Sequence, residues 1–305
     1  MPDDSFHLEF HADPAGFLRE VGPHLAADPV IGTVMASVTE GMVARMRPVP
    51  GLTPWWVAVR GTDGEVVGAA MRTAPFAPHP LYLLPMPDSA AVALARALHE
   101  RGEDIPAANG ALPAVMQLAE ETARLRDGRA EVAVHTRLFR LARLVPPSPA
   151  EGPVVGRLRV ATEADLGLAT RWFQQFHADA EEQAGRHVEP AAIRVSSQDE
   201  VSDRIAESLV WLWEAGGEVV HLTGHSQAAF GVVRVGPVYT PREHRGRGYA
   251  SAAVAEVSTR IAEAGHRACL FTDQANPTSN KIYEALGYER VVDMAEVVIT
   301  TPAPA

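Results

Sequence analysis

Residues 231 to 251, Gly-Val-Val-Arg-Val-Gly-Pro-Val-Tyr-Thr-Pro-Arg-Glu-His-Arg-Gly-Arg-Gly-Tyr-Ala-Ser, restrict the possible folds more than any other stretch of the chain. Val232 to Thr240 is an apolar, β-branched run that suits a strand. Pro241 has no N–H to give to a ladder and ends it. Arg242 to Gly248 is a basic, glycine-rich turn, and the alanine-rich run from Tyr249 onward predicts a helix. A strand, a glycine turn and a helix N-terminus in succession make an anion site. The first amides of the helix have no intrahelical partner, and its dipole favours negative charge there. Gly246 and Gly248 lack a Cβ, so an anion can approach the backbone closely. Arg242, Arg245 and Arg247 add positive charge.

Three kinds of site put glycines at such a turn. A P-loop needs a Lys after its last glycine, and none follows Gly248. A dinucleotide fingerprint is nearly met by Gly246, Gly248 and Ser251, with Asp273 closing a later strand. Only 32 residues follow Asp273, too few for the remaining strands of that sheet. The third pattern is Arg/Gln-x-x-Gly-x-Gly/Ala, and Arg245-Gly246-Arg247-Gly248-Tyr249-Ala250 fits it at every fixed position. Downstream, Asn276 follows a strand, Tyr283 lies seven residues later, and Gly287-Tyr288 comes after that. Together these two motifs make residues 231–290 resemble the GNAT acyltransferases, and the likeness extends less specifically back to residue 158.

The resemblance implies acetyl-CoA as cosubstrate. It implies contacts to it from Val238, Tyr239 and Thr240 on the strand. Arg245, Gly246, Arg247, Gly248, Tyr249, Ala250 and Ser251 would hold the pyrophosphate, and Asn276 and Asn280 would contribute beyond the next strand. Tyr283 is the expected catalytic acid, protonating the departing thiolate. The residue types suit these tasks: an amide both donates and accepts, and a phenol with a pKa near 10 keeps its proton at neutral pH. The implied reaction is acetyl transfer to a primary amine by direct attack in a ternary complex. A non-catalytic CoA-binding module and a nicotinamide-dependent oxidoreductase are the rival readings. A general base is not marked; Glu214, His225 and Asp179 are candidates.

Length and composition bound the rest. A chain of 305 residues holds about two domains. Its net charge of −11 argues against nucleic-acid or anionic-membrane partners, so a local basic loop points to a small anionic ligand. A lone cysteine, Cys269, allows no internal disulfide and suits a cytoplasmic protein. No apolar run has the length of a membrane span. No metal is expected: His221 and His225, or His7 and His11, would share a strand face, but no third ligand is marked.

Periodicity predicts helices over residues 5–45, then strands at 54–60, 65–73 and 81–86. A helix follows from Asp88 and another spans 113–126, with a long strand or hairpin at 132–144. Pro146 to Pro153 reads as a linker. We therefore expect a domain at 1–145, a linker at 146–156 and a second domain at 157–305. The second domain begins with a strand and a Thr162-x-x-Asp165 capping box, followed by a polar stretch over 183–203. Strands at 208–213 and 218–224 then precede the opening motif, and 267–273, 278–286 and 290–300 alternate strand, helix, strand. The class is mixed α/β, each domain a twisted mixed sheet flanked by helices.

Gly64-Glu65-Val66-Val67 matches Gly217-Glu218-Val219-Val220, and the same offset places Leu81–Met86 on Arg234–Tyr239. Each half has a hairpin, a third strand and an alanine-rich helix, which suggests two copies of one fold. The first copy has Asp88 at the helix start, no glycine pair, and Met116 where aligning Asn109 with Asn276 places Tyr283. It reads as a degenerate copy, giving one CoA per chain. The amine acceptor is a small molecule or peptide, and the chain is expected to be a monomer or weak dimer.

Overall fold

The computed structural model describes residues 6–45, 49, 51–147, 154–183, 185 and 196–300. It forms two compact units, one of residues 1–138 and 291–305, the other of residues 139–290. Residues 291–305 thus group with the first unit, and the chain changes unit inside two long strands. Most of the proline-rich linker, 148–153, lies outside the described residues.

In the first unit β1 (His7–His11), α1 (Pro14–Ala27) and α2 (Thr33–Ala44) lead into strands β2 (Trp55–Arg60), β3 (Val66–Arg72) and β4 (Leu81–Leu83). Helix α3 (Asp88–Glu100), β5 (Ala107–Ala111), α4 (Ala114–Arg124) and β6 (Arg129–Leu141) follow. Strands β1 to β4 pair antiparallel in chain order, and β4 pairs parallel with β5. The last strand of the chain, β12 (Tyr288–Thr300), completes this sheet, pairing Met294–Val298 antiparallel with β5. Alternation along β2 serves two cores. Trp55, Val57 and Val59 pack with Leu94, Leu98 and Leu118 of α3 and α4. Trp56 stacks near Phe17 of α1, and its indole N–H donates to Thr39 of α2 at 2.9 Å.

The second unit has β7 (Arg157–Val160), α5 (Leu166–Gln183), α6 (Gln198–Ala206), β8 (Val210–Ala215), β9 (Glu218–His225) and β10 (Val232–Tyr239). Then come α7 (Tyr249–Glu263), β11 (Arg267–Asp273) and α8 (Pro277–Ala285). Strands β7 to β10 pair antiparallel in chain order, and β10 pairs parallel with β11. This is the pairing sequence of β1 to β5, so the two units are tandem copies of one mixed α/β topology.

The register of β9 and β10 slips once. Val235 faces His225, but Val238 faces Thr223, so three steps on β10 match two on β9. The extra residue falls at Gly236-Pro237, where proline gives no N–H and Gly236 has φ +149°. The slip reassigns faces. Val233, Val235 and Val238 all join the core under α7 and α8, whereas Tyr239 joins Leu212, Leu222 and Trp172 under α5 and α6.

Several predicted elements differ from those observed. His7–His11 is a strand, because its backbone completes the ladder of β2. Strand β5 was not expected; Ala107-Ala108-Asn109-Gly110-Ala111 has no β-branched residue, and only its place between β4 and β12 extends it. Asn109 therefore lies inside a strand and is not the counterpart of Asn276, which caps α8. Counted from the helix start, the residue of α4 that matches Tyr283 is Glu120, not Met116.

Gly287, just past α8, is the tightest glycine. Its φ is +88°, and an added Cβ would sit 1.8 Å from the Arg143 carbonyl. Both the left-handed backbone and the contact forbid a side chain. Gly287→Ala should therefore cost about 2–4 kcal/mol, measured by urea unfolding; a loss within experimental error of zero would show that residues 143 and 287 part freely.

Candidate functional site

The site is a cleft in the second unit, where two parallel strands separate. β10 and β11 are in register only over Val232–Arg234 and Arg267–Cys269, although both strands run on beyond. A cavity of about 320 Å³ opens there. Val238, Tyr239 and Thr240 line it from β10, and Arg245, Gly246, Arg247, Gly248, Tyr249, Ala250 and Ser251 from the loop and the first turn of α7. Asn276 and Tyr283 line it from α8, and Phe176 and Asp179 from α5. The two sequence motifs, separated in the chain, therefore border one cavity.

The loop supplies donors. Gly248 is the N-cap of α7 with φ +79°, and no side chain caps the helix. Asp13, Ser197 and Asn276 cap α1, α6 and α8 with their own side-chain oxygens, whereas α7, like α2, α3 and α4, has no side-chain cap. The opening amides of α7 therefore have no side-chain acceptor, and the helix dipole at that end favours negative charge. At Gly246, φ is +77° and a Cβ would meet nothing within 4 Å, so the backbone there is bare to solvent.

The arginines are less uniform than the motif implies. Arg245 donates through Nη2 to Asp179 at 2.5 Å and through Nε to the Thr240 carbonyl at 2.9 Å. Its charge is matched by a carboxylate, so it fastens the loop to α5 and β10. Arg242 pairs with Glu182 and lies 3.5 Å from Asp179. Arg247 is exposed and touches only the Glu243 carbonyl, at 3.3 Å, among its described contacts. Tyr239 donates its hydroxyl to Asp179 at 3.2 Å, and burial, with that carboxylate nearby, pushes its pKa up to about 12.

On the far wall, Tyr283 is 7% exposed and meets Tyr288 edge-on at 6.0 Å between ring centroids. Burial, and then the neighbouring Tyr288, hold its pKa well above the ordinary phenol value, so it stays protonated at neutral pH. Asn276 spends its side-chain oxygen on the cap of α8, accepting from the Ser279 amide at 3.2 Å. Asn280 is not among the residues that line this cavity. Its oxygen accepts from Thr272 at 2.6 Å and its nitrogen donates to the Asn276 carbonyl at 2.9 Å, so it ties α8 to the end of β11.

Of the three candidate bases only Asp179 borders the cleft. Glu214 is held by Arg159 and Arg157 at 2.6 and 2.9 Å, and those arginines keep its carboxyl below the usual range. His225 is driven toward its neutral form chiefly by burial and bonds the Ser226 carbonyl at 2.9 Å.

The ring nitrogens of His221 bond the hydroxyls of Thr240 and Thr223, each at 2.7 Å. A His and a Thr on one strand with a Thr at the next strand's end were the available signal. In the first unit Glu9, His11 and Glu20 place ligand atoms within 4.8 Å of one another. Arg60 already serves both carboxylates, at 2.9 Å from Glu20 and 3.6 Å from Glu9, and supplies the positive charge there. No helix among the described residues is long and apolar enough to cross a membrane.

Residues 225–297 match the family model described as FR47-like protein. No curated protein matches the chain. Among solved structures, a GCN5-related N-acetyltransferase from Sphaerobacter thermophilus aligns with a TM-score of 0.58 at 18% identity, covering 100% of this chain and 98% of that one. A GNAT-family acetyltransferase from Colwellia psychrerythraea gives 0.54 at 12%, covering 97% and 100%. A tandem GNAT protein from the clavulanic acid biosynthesis pathway gives 0.51 at 16%, covering 98% and 100%. The chain has the GNAT fold, in two tandem copies.

The environment of His221 makes a pH prediction. Full burial depresses its pKa to about 3, whereas an unfolded histidine titrates near 6.5. The depressed group leaves stability intact above the unfolded value. It removes stability as pH falls from about 6.5 toward about 3, by up to about 1.4 kcal/mol per unit. His221→Gln should flatten that part of the stability–pH curve relative to wild type, read by urea unfolding between pH 7.5 and 5. Parallel curves would show that His221 titrates in the folded protein as it does in the unfolded chain.

Proposed function

We propose that the second unit transfers an acyl group, most simply acetyl, from its CoA thioester to a primary amine of a small molecule or peptide. The observation that carries this reading is the meeting of both motifs on one cleft between parting strands. The uncapped N-terminus of α7 and the bare backbone at Gly246 fit a pyrophosphate. Arg247 adds charge, and Asn276 adds an amide beside the pantetheine arm. Bound acetyl-CoA would supply the activated acyl carbon. Backbone amides near Val238 and Tyr239 would hold the thioester oxygen, as preorganised donors do in acyl transfer. The amine nitrogen bonds the acyl carbon as the carbon–sulfur bond breaks. Tyr283 delivers its proton to the departing sulfur, and the proton lost by the amine passes to water, since Asp179 is committed to Arg245. No nucleophile of the protein is acylated.

A nicotinamide-binding reading is disfavoured by the sheet: from β7 to β11, β10–β11 is the single parallel pair, not the doubly wound parallel sheet such a cofactor needs. The rival that remains is a CoA-binding module without turnover. We place the protein in the cytoplasm, acting as a monomer or weak dimer without a metal.

Tyr283→Phe separates the two readings. It should lower kcat by about 100-fold with CoA affinity nearly unchanged, the scale of a positioned acid. The assay is release of free CoA from acetyl-CoA over a panel of amines. A wild type that binds CoA but turns over no amine would favour the module, and a variant rate equal to wild type would remove Tyr283 from the chemistry.

Calorimetry tests the loop and the stoichiometry together. We expect one CoA per chain, since α3 opens with Pro87 and Asp88 and has no glycine turn. Gly248→Val puts a β-branched side chain at φ +79°, with its Cβ 3.0 Å from Val154, beside the amides that would hold phosphate. CoA binding should weaken at least about 100-fold, the loss of two charge-assisted hydrogen bonds. Two equivalent sites per chain, or unaltered affinity in a folded variant, would contradict this assignment.

A further inference from the structure

The slip in register on β10 leaves a structural debt that one side chain meets. At a bulge the extra residue drops out of the ladder, and its carbonyl needs another donor. Here the carbonyl of Gly236 accepts from Arg204 of α6, through Nη2, at 3.1 Å. The same nitrogen donates to the His225 carbonyl on β9, also at 3.1 Å. Nη2 carries two N–H bonds, so one goes to each strand at the place where their register changes. The guanidinium is fixed from its other side: its carbon lies 5.3 Å from the centre of the Phe173 ring on α5. Val201 and Ile205, flanking it on α6, are buried against Leu212, Leu222 and Tyr239. Gly224 makes the room. A Cβ there would sit 2.9 Å from the Gly236 carbonyl oxygen and 3.1 Å from Arg204 Nη2.

We propose that Arg204 is a positioning residue for acyl transfer: it clamps the Gly236-Pro237 bulge and so aims the backbone of Val238 and Tyr239 into the cleft. This rests on the acyl-CoA reading of that cleft. The clamp lies upstream of the thioester-facing residues and away from the phosphate loop, so it separates two parts of one ligand. The loop recognises what CoA and acetyl-CoA share; the strand beyond the bulge recognises the thioester, which only acetyl-CoA has. Loss of the clamp should therefore weaken acetyl-CoA relative to CoA, whereas a general loss of structure would weaken both alike.

The test uses the full chain with Arg204→Met, which keeps the apolar stem and removes the donors, and Arg204→Lys, which keeps a charged donor. Each is titrated with CoA and with acetyl-CoA by calorimetry. In the Met variant the preference for acetyl-CoA over CoA should fall about fivefold, the scale of one neutral hydrogen bond, with CoA affinity within about twofold of wild type. The Lys variant should recover most of that preference. A folded Met variant with the wild-type preference, or with equal losses for both ligands, overturns the proposal. If the Met variant does not fold, Arg204→Gln takes its place with the same two outcomes. Binding of neither ligand by wild type would instead refute the acyl-CoA reading. In that case hydrogen exchange at Val235–Tyr239 decides on Arg204 alone: faster in the variant supports the clamp, and unchanged removes it.

Discussion

The second unit depends on a place where a sheet is prevented from zipping shut. Parallel strands β10 and β11 share a register over three residue pairs and then part. Parted strands expose backbone N–H and C=O groups that a buried interior does not tolerate without partners. The protein answers on both sides. On the β9 side, Arg204 supplies donors at the bulge, and His221 fastens Thr240 through a 2.7 Å bond. On the β11 side, the end of the strand is tied to α8 by Asn280 and Thr272. What remains is a cleft lined by apolar and polar side chains together, Phe176, Val238 and Ile282 beside Arg245 and Asn276.

Much of this was legible in the chain. The strand, the glycine turn and the helix from Val232 to Glu263 follow from local chemistry: β-branched residues, then glycines at positive φ, then alanines. The Asn276 cap and the Thr162–Asp165 capping box were equally local. The misses share a cause. β1 and β5 are strands because neighbours offer them a ladder, and neither His-Leu-Glu-Phe-His nor Ala-Ala-Asn-Gly-Ala states that by itself. Asn280 is an asparagine in a motif-like position, yet only the fold shows its amide spent on holding α8 in place. Arg204 carried no signal, since an arginine on a polar helix reads as solvated until the bulge it faces is known.

The first unit differs from the second at the matching place. Its strands follow the same pairing sequence, and β4 and β5 also share three residue pairs. The segment after β4, however, is Leu84-Pro85-Met86-Pro87, and Leu84 and Met86 are buried. Met86 packs on Gly68 so closely that a Cβ there would lie 2.6 Å away, and it belongs to the core under α3 and α4. Apolar residues stand where the second unit has a polar loop. α3 then begins at once with Asp88, which makes no side-chain cap but places a negative charge at the helix N-terminus. Hydrophobic filling and an acidic first turn both favour the fold, and neither favours an anion there.

The chain's net charge of −11 sits oddly with the anionic ligand proposed for this cleft. The positive potential need not come from the arginines as a group. Arg245 and Arg242 face Asp179 and Glu182, so their charges are largely cancelled locally. Their contribution is geometric: they join α5 to the loop in which Gly246 and Gly248 take left-handed conformations. Backbone dipoles are not titrated, and in a partly buried wall they are less screened by salt than exposed side chains. Binding that relies on α7 and its amides should therefore lose less affinity with added salt than binding that relies on three exposed arginines. That distinction follows from the placement of Asp179, a residue more than sixty positions away in the chain from the arginine it neutralises.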